Sequence, residues 1–165
     1  MSDTPRFVAD VMLGSLATWL RILGFDTLYC NRIDDRTLLR IAAQEQRILL
    51  TRDTGIPSRR GNSTVALIRA EEVFEQLAEV LAFLRQSARL PSLPLPARCP
   101  RCNGTLEPAS REAVAESVPE HVLLSADSFF RCRECGKVYW EGSHANRIKS
   151  KLKEVIAQWG ASDGD

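Results

Sequence analysis

Apolar residues fall in short runs that alternate with helical stripes over the first half of the chain. Phe7-Val-Ala9 is an apolar run closed by Asp10. Leu13, Leu16, Ala17, Leu20 and Leu23 follow at the spacing of one helix face, and Gly24 stops that helix. Asp26 to Cys30 reads as a second strand, with Asp26 exposed and Cys30 a small buried hydrophobe. A helix opened by Asp34 or Asp35 runs to about Gln46. Arg47-Ile-Leu-Leu-Thr51 makes a third strand ending at Arg52-Asp53, and Thr64 to Ile68 a fourth. A helix from Glu71 to Gln86 turns Val73, Leu77, Val80, Leu81 and Leu84 inward. Strands alternating with helices predict an α/β fold, a parallel sheet with helices on both faces.

The pattern then breaks. Arg89-Leu-Pro-Ser-Leu-Pro-Leu-Pro-Ala97 is punctuated by proline and reads as a semi-rigid linker. It divides the chain into a unit over 1–90, a linker over 91–97 and a second unit over 98–165. Residues 1–96 contain no lysine, whereas Lys137, Lys149, Lys151 and Lys153 cluster late, which supports the division. In the second unit, Ser128 to Cys132 and Lys137 to Trp140 read as strands, and Ala145 to about Trp159 as a helix.

Those two strands flank one of two cysteine pairs. Cys99-Pro-Arg-Cys102 is followed by Asn103-Gly104, and Cys132-Arg-Glu-Cys135 by Gly136. Each pair is spaced so that a tight turn aims both sulfurs at one point, with the glycine supplying the left-handed conformation. Four thiolates make a closed tetrahedral zinc site, structural because no position stays open for substrate. A thioredoxin-type dithiol would need one pair ahead of a helix in a βαβ unit. The stretch from Asn103 to Arg131 exceeds what a compact ribbon needs and should carry a hairpin plus an excursion.

Composition narrows the class. The chain has 165 residues with 44% hydrophobic and 26% charged, which fits a globular protein. No apolar run is long enough to span a membrane, and the N-terminus lacks the pattern of a secretion signal. With thiols held reduced, the expected compartment is the cytoplasm. A net charge of +1 does not advertise nucleic acid, so any such role must rest on local charge.

In open parallel sheets, ligands collect beyond the carboxyl ends of the strands. Asp10 ends the first strand and Asp53 the third, and Asp35 or its neighbour Asp34 opens the second helix on the same edge. At about 4 Å and an effective dielectric of about 20, each pair of carboxylates repels by about 4 kcal/mol. A cation sharing the cluster relieves this, and hard oxygen ligands favour Mg²⁺ or Mn²⁺. Simpler roles compete. Asp34 and Asp35 are each suited to cap their helix, Asp10 could cap the next one, and Asp53 could begin a turn with Thr54-Gly55.

Basic and aromatic residues suggest where a polyanion could lie. Arg131, Arg133, Lys137, Arg147, Lys149, Lys151 and Lys153 outnumber Glu134 and Glu141 locally. Tyr139 and Trp140 could stack unpaired bases or pack the ribbon. Arg52, Arg59 and Arg60 flank the loop after Asp53 and could position a phosphate. His144, beyond the zinc ligands, could contact a base or phosphate, or settle the final helix.

The stretches Asp35-Arg-Thr-Leu-Leu-Arg-Ile-Ala-Ala43 and Arg47-Ile-Leu-Leu-Thr-Arg-Asp53 resemble the helix-then-strand signature of PIN-domain ribonucleases. The full arrangement is similar to one branch, the PIN-like RNase family found at the C-terminus of the Mut-seven exonuclease and as stand-alone microbial proteins. The likeness runs through Asp10-Val-Met-Leu-Gly14, Trp19 to Asp26, Asp34-Asp35 and Leu49 to Asp53. It continues through the first cysteine pair to Cys132, Val138-Tyr-Trp140 and Gly142-Ser-His144. The resemblance implies a metal-dependent endoribonuclease acting on single-stranded or structured precursor RNA. In it Asp10, Asp35 and Asp53 hold Mg²⁺ or Mn²⁺ and Thr51 orients them. Homodimers are common among PIN proteins, so the resemblance leaves room for one here. In one respect the chain departs from the pattern. PIN enzymes usually carry another acid on an additional helix before the Asp35 position, and here Asn31-Arg-Ile-Asp34 leaves no room for it. Asp34 could substitute.

That departure keeps a non-catalytic alternative open: an RNA- or ribosome-binding adaptor on a degenerate PIN scaffold. A phosphoacceptor receiver domain shares the strand-end aspartates but needs a lysine near the last strand, which residues 1–96 lack. A VapC-type toxin would be a subtype of the nuclease; the attached ribbon argues weakly against it.

Overall fold

The strands of the first unit are short and their side chains alternate between two buried faces, so each is sandwiched between helices. The computed structural model describes residues 4–84 and 97–160. Strands β1 (Phe7–Ala9), β2 (Thr27–Tyr29), β3 (Ile48–Thr51) and β4 (Val65–Leu67) form a four-stranded sheet in the order β2-β1-β3-β4, with every neighbouring pair parallel. Helix α1 (Gly14–Ile22) lies between β1 and β2 in sequence, α2 (Asp35–Gln44) between β2 and β3, and α3 (Val73–Phe83) after β4. Phe7, Ala9, Leu50 and Ala66 pack with Leu16, Leu20, Leu77 and Leu81 from α1 and α3. Val8 and Leu49 point the other way, against Leu38 and Ala42 of α2. Helices therefore cover both faces, as the periodicity predicts.

Strand order positions the site. From β1 the chain moves outward to β2, then returns past β1 to place β3 on its other side. Connections leave in opposite directions from β1 and β3, and the crevice so formed lies beyond their carboxyl ends. Asp10 and Asp53 flank that crevice.

The second sheet is three-stranded and antiparallel, in the order β5-β6-β7, from β5 (Leu106–Ala109), β6 (Phe129–Cys132) and β7 (Val138–Trp140). The expected excursion contains α4 (Arg111–Val114) and α5 (Glu120–Ser125), whose Val114 and Val122 pack with Phe129 and Val138. Sequence groups the last helix, α6 (Ser143–Gly160), with the ribbon. The helix sends Leu152 and Val155 into the core built on α1 and α3. Trp19 meets Phe74 on that side, ring centres 4.8 Å apart. Positions 91–96 of the expected linker lie outside the described residues. Ala97, its last residue, and Arg98, the next, donate their N–H groups to the carbonyls of Ile22 and Arg21.

Two expectations are corrected. Cys30 lies just beyond β2 and is exposed, because the strand ends at Tyr29 before its side chain can turn inward. Asp26 is not a free surface charge: it is paired at 2.8 Å with the buried Arg47.

Candidate active site and zinc site

Asp10 is the acid most firmly placed. It follows β1 directly, its N–H donates to the carbonyl of Leu50, and it is only 6% exposed. One carboxylate oxygen accepts the N–H of Met12 at 2.8 Å, which caps a 3₁₀ turn over Val11–Leu13. The other accepts the hydroxyl of Thr51 at 2.6 Å. Thr51, fully buried at the end of β3, in turn accepts the N–H of Asp53 at 3.0 Å. One hydroxyl thus ties the ends of β1 and β3 together. Among the described residues no Lys, Arg or His lies within salt-bridge distance of Asp10.

Asp53 is exposed, and its carboxylate accepts the N–H of Gly55 at 2.7 Å. This is the turn role weighed for it, and it still leaves oxygen lone pairs open. Asp35 starts α2 and pairs with Arg59 at 2.9 Å. Asp34 is the helix cap: its two oxygens accept the N–H and the hydroxyl of Thr37, and these bonds hold its carboxyl below the usual range. Asp10, Asp35 and Asp53 thus share one edge of the sheet but do not bring three ligand oxygens within 4.8 Å. Among the described residues only the four cysteines form such a cluster.

A further residue holds this edge. Tyr29, at the end of β2, donates its hydroxyl to the carbonyl of Val11 at 3.1 Å, fastening the turn that follows Asp10. A Cβ at Gly14 would lie 2.8 Å from that hydroxyl, so the small residue keeps the seat open. Sequence does not single out Tyr29, which reads as an ordinary strand aromatic.

The sulfurs of Cys99, Cys102, Cys132 and Cys135 all lie within 4.8 Å of one another. Cys102 and Cys132 are 3.4 Å apart, and Cys99 and Cys135 3.7 Å. A tetrahedral ion with Zn–S bonds of about 2.3 Å requires edges of about 3.8 Å, so the cluster could hold zinc. Burial pushes the Cys132 thiol up to about 12. Burial raises Cys99 as well, but hydrogen bonds from Tyr139 and the knuckle backbone outweigh it and bring that thiol down to about 7. The second knuckle turns through Gly136 at φ 73° as expected, whereas in the first it is Asn103 that adopts φ 70°. Gly104 serves a different purpose: a Cβ there would meet the Glu134 carboxylate and lie 2.8 Å from the Cys132 sulfur.

Asn103 also docks the knuckle on the α/β unit. Its side chain accepts the N–H of Thr27 at 3.0 Å and donates to Asp26 at 2.8 Å. Arg21, buried on α1, donates to the carbonyls of Thr27, Pro100 and Arg101. An arginine among the apolar positions of α1 was the sequence signal for this contact.

The proposed RNA contacts are dispersed. Arg52 is half-buried, and Arg60 and Arg147 are exposed. Lys149 pairs with Glu141. Lys137 lies over the Tyr139 ring, whose hydroxyl is 3.1 Å from the Cys99 sulfur, so Tyr139 packs against the four-cysteine cluster. Trp140 is 37% exposed and lines a cavity of about 580 Å³ between β7, α5 and α6. The side chain of His144 lies outside the described residues. No helix among them is long and apolar enough to cross a membrane.

Compared with known proteins, the chain matches no curated protein and no solved structure. A family model, the Mut7-C RNAse domain, matches residues 5–152, taking in the α/β sheet, both knuckles and most of α6. With that span covered, the chain belongs to the Mut7-C RNAse domain family.

Proposed function

We propose that the protein is a metal-dependent endoribonuclease that cuts single-stranded or structured precursor RNA. The observation that carries this reading is the buried Asp10 carboxylate at the switch of strand order. It is oriented by Thr51 and has no cationic partner among the described residues. A buried carboxylate without a cation is costly, and its hard oxygen donors fit Mg²⁺ or Mn²⁺. Asp10, Asp35 and Asp53 would hold the ion, and Asp34 remains a helix cap. A divalent ion bound there supplies a water ionised at neutral pH and charge stabilisation for the phosphate.

The chain's own residues do the rest. Thr51 fixes the rotamer of Asp10 and, through the Asp53 N–H, the end of β3. Exposed Asp53 and half-exposed Asp35 face the solvent from which RNA arrives. Arg52, Arg59 and Arg60 offer guanidinium groups to phosphates, and Lys137, Trp140, Arg147 and Lys149 extend a basic and aromatic surface along the ribbon and α6. By the PIN resemblance the products carry a 5′-phosphate and a 3′-hydroxyl. The division into a nuclease unit and a zinc ribbon is part of this proposal, with the ribbon orienting RNA and the reduced thiols placing the protein in the cytoplasm.

The test incubates wild type and Asp53→Asn with total RNA, with and without Mn²⁺, and maps new ends by sequencing. New ends that need both Mn²⁺ and Asp53 support the proposal; identical profiles remove it. One observation favours the adaptor reading: both Asp34 oxygens accept bonds from Thr37, so Asp34 serves as the helix cap and not as the fourth acid. That reading predicts no cleavage and unchanged single-strand binding after Asp10→Asn.

A further inference from the structure

Arg59 is held in place for Asp35. It ends a 3₁₀ turn over Pro57–Arg59, and the preceding Ile56 is fully buried with Leu38 and Leu49 on the α2 side of the sheet. The Arg59 N–H donates to the carbonyl of Ile56 at 2.9 Å, and the Ser58 hydroxyl to that of Gly55 at 2.8 Å. The backbone beneath Arg59 is thus pinned, and only the long side chain has room to change position. Its guanidinium donates to Asp35 at 2.9 Å and to the Gly55 carbonyl at 3.3 Å. The N–H of the same Gly55 is held by Asp53. Arg59 is therefore tied to two of the three acids, to Asp35 directly and to Asp53 through Gly55.

The pair is also open to exchange. Arg59 is 53% exposed and Asp35 42%, so the attraction is screened by water and weak. A divalent ion carries twice the charge and seeks the same oxygen. A guanidinium, once released, matches the geometry of a phosphate better than any other side chain. We infer that Arg59 is an exchange residue. It neutralises Asp35 until a divalent ion takes that carboxylate, and the freed guanidinium then grips the RNA backbone beside the ion. This rests on the metal-dependent reading proposed above. Because the linkage is reciprocal, metal should tighten RNA binding and RNA should tighten metal binding.

The experiment compares wild type, Arg59→Ala, Arg59→Lys, Asp35→Asn and, for general charge, Arg60→Ala. Mn²⁺ binding is read by electron paramagnetic resonance, and RNA binding by the anisotropy of a short labelled phosphorothioate oligonucleotide. Arg59→Ala should tighten Mn²⁺ by up to about fivefold, the most that an exposed pair of this kind returns. With Mn²⁺ present it should weaken RNA and reduce the salt slope by about 0.7, one phosphate contact on a single strand. Arg59→Lys should fall between. Arg60→Ala should leave Mn²⁺ nearly unchanged and weaken RNA equally with and without metal. Unchanged or weaker Mn²⁺ binding in Arg59→Ala, with Mn²⁺ still lost in Asp35→Asn, overturns the exchange alone. If wild type and Asp35→Asn bind Mn²⁺ alike, the metal site falls and the exchange with it.

Discussion

The hydroxyl of Thr51 donates to Asp10 across 2.6 Å while accepting the N–H of Asp53, so one side chain holds the carboxylate of the first acid and the backbone of the second. Replacing it by valine keeps the shape and removes both bonds. The unpartnered groups should cost about 1–3 kcal/mol of stability, measured by chemical unfolding. Losing a residue that orients a ligand should weaken Mn²⁺ binding by about 10- to 100-fold. Thr51→Ser should restore most of both, because the hydroxyl alone is required.

Asp26 gives a pH dependence of known sign. Burial raises its carboxyl, but hydrogen bonds from Arg47 and Asn103 outweigh this and hold it below the ordinary range. A carboxyl depressed by folding stabilises above its unfolded value of about 3.9. That contribution fades as pH falls through the lower folded value. Asp26→Asn should therefore destabilise at pH 7 by about 2 kcal/mol, the worth of a charged hydrogen bond. The difference from wild type should shrink in unfolding curves recorded at progressively lower pH below about 4. A constant difference across that range would mean that the carboxylate charge is not what matters.

Zinc should be felt inside the α/β unit as well as in the ribbon. The first knuckle carries Asn103, which holds the N–H of Thr27, and the carbonyls that receive Arg21. Native mass spectrometry should find one zinc per chain, lost in Cys135→Ser. In that variant, hydrogen exchange at the Thr27 amide should accelerate by at least about tenfold. The Asp10 amide, bonded to Leu50 within the sheet, should stay protected. Equal loss at both would mean that the two parts unfold as one.

How far sequence carried these conclusions can be traced residue by residue. Gly24, Asp53 and the stripe from Leu13 to Leu23 place α1 and the end of β3 because local periodicity and backbone preference decide them. The cysteine spacing likewise fixed the knuckles. What escaped was non-local. Nothing near Asp26 announces Arg47, two elements away, or Asn103, on the far knuckle. Cysteine-pair spacing points to Gly104 as the left-handed residue of the first knuckle, yet Asn103 takes that conformation and Gly104 answers to the Glu134 side chain and the Cys132 sulfur. Helix α6 reads as a basic ribbon appendage, but Leu152 and Val155 belong to the core assembled on α1 and α3, far earlier in the chain. In the acidic site, sequence placed the three aspartates on one edge. It could not foresee that Arg59 would already be bound to one of them.

The central claim is that Asp10, Asp35 and Asp53 jointly hold a divalent ion. Manganese soaked into crystals and located by its anomalous scattering tests it most directly. The account predicts one strong peak with oxygens of all three carboxylates at about 2.0–2.3 Å, Arg59 withdrawn from Asp35, and no such peak in Asp10→Asn. A map in which manganese avoids this edge, leaving Asp35 on Arg59 and Asp10 held only by Thr51 and Met12, would contradict it.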